Sequence, residues 1–255
     1  MAQPLENTDL HNNANWFEDW FDEDYLKLYS NRDEGEAEIA VENALRFAPC
    51  LAKGKILDLG CGTGRHLCAL RQVNRDAFGI DLSKTMLDHA KEKLSGNLIR
   101  ADMRYLPIAA SSLDGACLWF TPFGYFSREA NAALLQSLAR VIKQGGVLLI
   151  DFFNSNYVLS TFEAQEQIEI GGALIKINRV VNGERIDKRI KITKGDHERD
   201  ITESVQLYAP EELEKLIRDS GFRFVKRWGN YQGDEFDADK SKRFISLWKR
   251  YMIFS

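Results

Sequence analysis

Between residues 55 and 153, short apolar runs alternate with longer amphipathic stretches, and no other feature of the chain restricts its fold as tightly. Residues 55–59, 77–80, 97–100, 113–120 and 147–153 have strand length and texture, whereas 65–73, 84–94 and 131–141 repeat apolar residues at helical spacing. Strands that alternate with helices need crossover connections, and right-handed crossovers lay the strands parallel with helices on both faces. The predicted fold class is therefore α/β, with a doubly wound Rossmann-like sheet. The 255 residues are 44% hydrophobic, enough for a sizeable core.

The alternation stops on both sides of this core. Residues 1–15, rich in asparagine, are expected to form a mobile tail. Over 16–47 the apolar residues Trp16, Phe17, Trp20, Ile39, Val41 and Leu45 predict two helices separated by a polar turn near Ser30. From 157 to 208 apolar residues alternate with polar ones at a period of two. Gly171-Gly172 and Asn182-Gly183 punctuate the segment as hairpin turns, so an antiparallel meander with one wet face is expected. Pro210 with Glu211 and Glu212 then opens a helix that Gly221 closes, and 222–228 and 244–251 return to strand texture. The expected division is a tail at 1–15, a helical segment at 16–48, a core made of 49–156 and 209–255, and a β insertion at 157–208 after the fifth strand.

Chemistry concentrates in Ile56-Leu57-Asp58-Leu59-Gly60-Cys61-Gly62-Thr63-Gly64-Arg65, where three alternate glycines join a strand to a helix and permit close backbone approach to a ligand. A dinucleotide site would want its third glycine where Arg65 stands. Asp58 would also repel a pyrophosphate, but it suits a ligand bearing an amine. Asp81 closes the next strand, where a carboxylate accepts hydrogen bonds from both ribose hydroxyls. Asp102 follows the third strand, placed to accept from an adenine amine while the backbone N–H of Met103 donates to the ring.

The pattern D-x-G-x-G-x-G followed by acids after the second and third strands resembles the class I S-adenosylmethionine-dependent methyltransferases over residues ~50–153. The resemblance implies S-adenosylmethionine as cofactor, S-adenosylhomocysteine as product, and no metal. It implies that Gly60, Cys61, Gly62 and Gly64 lie along the methionine part, Asp81 and the adjoining Leu82 at the ribose, Asp102 and Met103 at the adenine, and Asp58 and Phe120 at the same crevice. Tyr29-Ser30-Asn31-Arg32 is similar to the lid of amino-sugar N-methyltransferases, which adds Tyr29 and Arg32 to the cofactor contacts and makes 16–48 a lid. The β insertion is also similar to that subgroup's; such an insertion walls off a pocket or pairs with its copy in a homodimer.

Methyl transfer from a sulfonium needs mainly alignment, so few catalytic residues are expected and no general base is assigned. Leu118-Trp-Phe-Thr-Pro-Phe-Gly-Tyr125 lacks the D/N-P-P-Y/F sequence of base-amine methyltransferases and the cysteine of a ring-carbon methyltransferase. Tyr25, Tyr125 and Tyr231 are the candidates near the acceptor. The expected partner is a small-molecule acceptor bearing an amine or hydroxyl. Its rivals are an RNA base, suggested by Arg185, Lys188, Arg189, Lys191, Lys194 and Arg199, and a protein that binds the cofactor without transferring from it. With 34 Lys+Arg against 38 Asp+Glu, giving a net charge of −4, nothing global attracts phosphate backbones or anionic lipid. No apolar run approaches the ~18 residues of a membrane span, and residues 1–15 lack a signal peptide's pattern, so a cytoplasmic protein is expected.

Overall fold

In the computed structural model, which describes residues 15–30 and 33–251, a seven-stranded sheet and a four-stranded sheet meet beneath the N-terminal helices. The large sheet contains β1 (Ile56–Leu59), β2 (Phe78–Asp81), β3 (Leu98–Arg100), β4 (Leu113–Leu118), β5 (Ile142–Phe153), β10 (Phe222–Trp228) and β11 (Arg243–Arg250), in the order β10-β11-β5-β4-β1-β2-β3. Strands β1 to β5 run parallel; β11 is antiparallel to β5, and β10 to β11. The chain winds outward from β1 to β3 and resumes on the other side at β4. The order therefore reverses beside β1, which is where such sheets open a ligand crevice outside their carboxyl ends.

Alternate residues of the central strands feed two cores. Leu57, Leu59, Ala116, Leu118, Leu148 and Ile150 pack on one face with α6 (Arg128–Val141) and α8 (Pro210–Asp219). Ile56, Cys117 and Leu149 pack on the other with α3 (Glu34–Phe47), α4 (Arg65–Arg71) and α5 (Lys84–Lys93). Local chemistry marks where these helices begin: the side chains of Asp33, Ser83 and Ser127 accept from backbone N–H groups of the first turns of α3, α5 and α6.

The small sheet is the expected antiparallel meander: β6 (Gln165–Ile170), β7 (Ala173–Asn182), β8 (Arg185–Lys194) and β9 (His197–Gln206) in sequential order. Its strands are longer than their apolar texture suggests, and a third turn at Gly195-Asp196 starts β9 at His197. Before it, residues thought to open the meander form α7 (Ser155–Ser160), capped by the Asn154 side chain. The N-terminal segment holds three helices instead of two, because Asp22 starts a new one: α1 (Phe17–Trp20), α2 (Glu23–Leu28) and α3. Strand β5 begins at Ile142 rather than Val147, since Lys143-Gln144-Gly145-Gly146 carries no apolar texture. Strand β4 ends at Leu118, two residues short of Phe120.

The N-terminal helices and the insertion hold each other. The indole N–H of Trp16 donates to the Ser204 carbonyl at 3.1 Å, and that of Trp20 to Glu203 Oε1 at 2.6 Å. Arg199 of β9 bridges Asp22 at 2.6 Å and Asp24 at 2.8 Å. No helix among the described residues is long and apolar enough to cross a membrane.

Candidate functional site

The carboxyl ends of β1, β2, β3 and β4 open into a cleft of about 240 Å³ roofed by α1 and α2. Of the residues singled out in the sequence, Asp58, Gly60, Cys61, Gly62, Asp81, Leu82, Asp102, Met103, Phe120, Tyr29, Tyr25 and Tyr125 all line it. Arg32 lies outside the described residues, and two others do not line it. Gly64 is a packing residue, because a Cβ there would stand 2.7 Å from Leu94 Cδ1. Tyr231 is buried behind the cleft, donating its hydroxyl to Asp151 Oδ2 at 2.7 Å.

The glycine loop hangs from β2 by the N–H groups of Gly60 and Cys61, which donate to the Ile80 carbonyl at 2.8 and 3.0 Å. Gly62 has φ +53°, and a Cβ added to it would meet nothing within 4 Å, so its backbone borders open space. Its N–H donates to Asp81 Oδ2 at 2.8 Å, while the Ser83 N–H donates to Asp81 Oδ1 at 2.9 Å. These donors favour the Asp81 carboxylate, but burial outweighs them and holds its pKa above the usual value.

Asp58 is only 1% exposed, and neither of its carboxyl oxygens has a hydrogen-bond partner. Burial first, then the nearby charge of Asp81, pushes its pKa up to about 8, with Arg65 pulling the other way. An acid in this condition is satisfied by a cation. Beside it lie two residues that sequence reasoning did not assign to the site: His66 and Trp119, whose rings stack at 4.9 Å and 3° and whose Nε2 and Nε1 atoms are buried without partners. Burial keeps His66 neutral, its pKa well below the usual value. Asp102 is engaged by Arg104, which donates its backbone N–H at 2.8 Å and its guanidinium at 2.6 and 2.9 Å. Arg104 in turn packs over Phe17 and Phe126, tying this acid to the roof.

A second chamber of about 270 Å³ adjoins the first, and Phe21, Tyr25, Phe120 and Tyr125 line both. The N-terminal helices, the segment after β4 and the insertion all contribute to its walls. Phe120 and Thr121, in the partition, have φ of +59° and +66°, a conformation that costs a non-glycine residue about 1–3 kcal/mol. Asp151, fully buried, offsets this strain: Oδ2 accepts from Phe120 N at 2.7 Å and its carbonyl accepts from Thr121 N at 2.9 Å. Arg243 neutralises that carboxylate through Nε at 2.5 Å and donates from Nη2 to Thr121 Oγ1 at 2.7 Å. Neither Asp151 nor Arg243 carried a sequence signal, since each sits alone in an otherwise ordinary strand.

The basic residues of the insertion are largely occupied. Arg185 donates to the carbonyls of Tyr125, Phe126 and Ser204 at 2.8–3.0 Å, Lys188 pairs with Tyr29, and Lys191 pairs with Glu198. No group of three or more His, Cys, Asp or Glu residues able to hold a metal occurs among the described residues.

Residues 56–146 match the family model described as a methyltransferase domain. A putative methyltransferase of Bacillus subtilis, YqeM, is 24% identical over 227 residues, spanning 80% of this chain and 87% of that protein. Among solved structures, an S-adenosylmethionine-dependent methyltransferase from Clostridium acetobutylicum has a TM-score of 0.76 at 19% identity, covering 89% of this chain and 96% of its own. The sugar N-methyltransferase KedS8 from Streptoalloteichus has a TM-score of 0.68 at 21% identity, covering 99% and 100%.

Proposed function

We propose that this chain is a class I S-adenosylmethionine-dependent methyltransferase and that it methylates an amine or hydroxyl of a small molecule seated in the second chamber. The cleft residues suit the cofactor. Asp58, whose two oxygens have no partner, would take the α-amine and complement the sulfonium charge. The open backbone at Gly62 would lie along the methionine part, the remaining lone pairs of Asp81 would accept from the ribose hydroxyls, and Asp102 and Met103 would border the adenine. When bound, S-adenosylmethionine supplies a methyl group on a positively charged sulfur, open to in-line displacement by a lone pair of the acceptor.

The protein's part is to align and to exclude water. Tyr25 and Tyr125, shared by both chambers, stand where an acceptor would face the methyl group. The Asp151–Arg243 pair holds the strained Phe120–Thr121 partition between them. One observation carries the small-molecule reading: the second chamber is small, mostly aromatic and aliphatic, and walled by the lid on one side and the insertion on the other. The internal pairing of Arg185, Lys188, Lys191 and Arg199 leaves few of the insertion's cations for a phosphate backbone.

The test is incubation of the protein with methyl-labelled S-adenosylmethionine and a metabolite extract, alongside a parallel reaction with total RNA. Label in a small molecule is the expected result. Label in RNA alone would overturn the acceptor assignment, and binding of the cofactor without transfer to either would favour a silent binding protein.

A further inference from the structure

The second chamber is lined mostly by aromatic and aliphatic side chains, with Thr121, Tyr25 and Tyr125 as its neutral polar residues and two charged ones on different strands, Glu203 and Arg243. Glu203, on β9, uses Oε1 to accept from Trp20 Nε1 and from the Tyr29 hydroxyl at 2.9 Å. Its Oε2 receives no hydrogen bond; the Lys188 ammonium stands 3.8 Å away. Arg243, at the start of β11, spends Nε on Asp151 and Nη2 on Thr121, leaving Nη1 without a hydrogen-bond partner while the guanidinium lies over Phe120 at 5.1 Å. Neither atom is among the fully buried unpartnered ones, and both residues line the chamber. Between them the walls are Phe153, Val158, Ile186 and Val205.

We propose that the acceptor carries an amine and an anionic group, carboxylate or phosphate, on one short skeleton, with the amine at Glu203 and the anion at Arg243. This rests on the reading of the second chamber as the acceptor site. The charge balance selects the zwitterion. Asp151 neutralises Arg243 and Lys188 stands beside Glu203, so the walls have no net charge to offer a simple cation or anion. What they offer is one unused acceptor and one unused donor, and a ligand that filled only one would strip water from the other without replacing it. An aliphatic spacer of a few carbons would lie against the valine and isoleucine side chains.

Ligand-observed NMR titration of the full chain, with and without saturating S-adenosylhomocysteine, tests this with named probes. β-Alanine, 4-aminobutyrate and O-phosphoethanolamine are compared with propylamine and propionate. The best zwitterion should bind about tenfold more tightly than either single-function control, as one extra charge-assisted hydrogen-bonded group predicts. Carboxylate and phosphate arms tell the two anions apart. In Arg243→Lys, which retains a cation for Asp151 but has no counterpart of Nη1, the zwitterion should fall to the level of propylamine. In Glu203→Gln it should fall to the level of propionate. Zwitterions that bind the wild type no better than both controls would overturn the proposal, whatever the variants do. If S-adenosylhomocysteine itself fails to bind, the methyltransferase reading of the cleft falls, while the probe comparison on the ligand-free protein still decides this one.

Discussion

Gly62 and Gly64 look alike in the sequence and do different work in the structure. Both have positive φ, but a Cβ at Gly62 enters open cleft whereas at Gly64 it strikes Leu94. Gly64→Ala should therefore lower stability by about 2 kcal/mol or more, read from the urea midpoint. Gly62→Ala should cost only about 1 kcal/mol of stability yet weaken S-adenosylhomocysteine binding at least several-fold in calorimetry. Asp58 gives a pH signature. Its pKa of about 8 in the folded state lies above 3.8, so the native state holds this proton where the unfolded chain has lost it. The stability it contributes is whole below about pH 4 and drains as pH rises through 8. Between pH 5 and 8 the wild type should lose up to about 4 kcal/mol relative to Asp58→Asn, measured by denaturant titration at each pH. Cofactor binding at pH 7 should release a proton, seen as a dependence of binding enthalpy on buffer ionisation. The placement of Asp58 and Asp81 in the cleft was legible because both close strands beside the glycine loop or the next crossover, a position that neighbouring residues in the chain display. Tyr231 misled because an aromatic residue in a loop does not reveal which way it faces.

At the scale of elements, α1 and α2 have four and six residues, too few to be stable alone. Their order depends on Trp16, Trp20 and Tyr29 bonding to β9, and on Arg199 bonding to Asp22 and Asp24. Trp20→Phe should remove about 1 kcal/mol or more of local stability and speed hydrogen exchange over residues 16–30, leaving β1, β4 and β5 protected, as mass spectrometry would show. Arg199→Ala, with partly exposed partners, should cost under about 1 kcal/mol. The alternation of apolar and amphipathic runs made most strands and helices readable. Boundaries failed where local chemistry is silent: Asp22 splits a helix by capping, and Gly195-Asp196 turns a strand with few apolar residues to mark its ends. The positive φ of Phe120 and Thr121 was invisible for a different reason, since it is imposed by Asp151 and Arg243 from two distant strands.

The molecule as a whole joins a cleft at the carboxyl ends of the parallel strands to a chamber completed by the N-terminal helices and the insertion. A ligand that binds only the folded state should raise its stability, by about 2.7 kcal/mol when S-adenosylhomocysteine is present at about 100 times its Kd. Thermal denaturation across a concentration series checks this, and Gly62→Ala should shift the curve to higher ligand. The sequence by itself determined the doubly wound sheet, the glycine loop and the acids at the strand ends. These follow from periodicity and from chemistry within a few residues of one another, which a linear chain displays directly. Only the tertiary structure decided the second chamber, the Asp151–Arg243 support of its partition and the bringing of Glu203 and Arg243 into one lining. Those groups come from segments far apart in the chain, and their burial and charge take effect only when packing brings them together and removes the water between them.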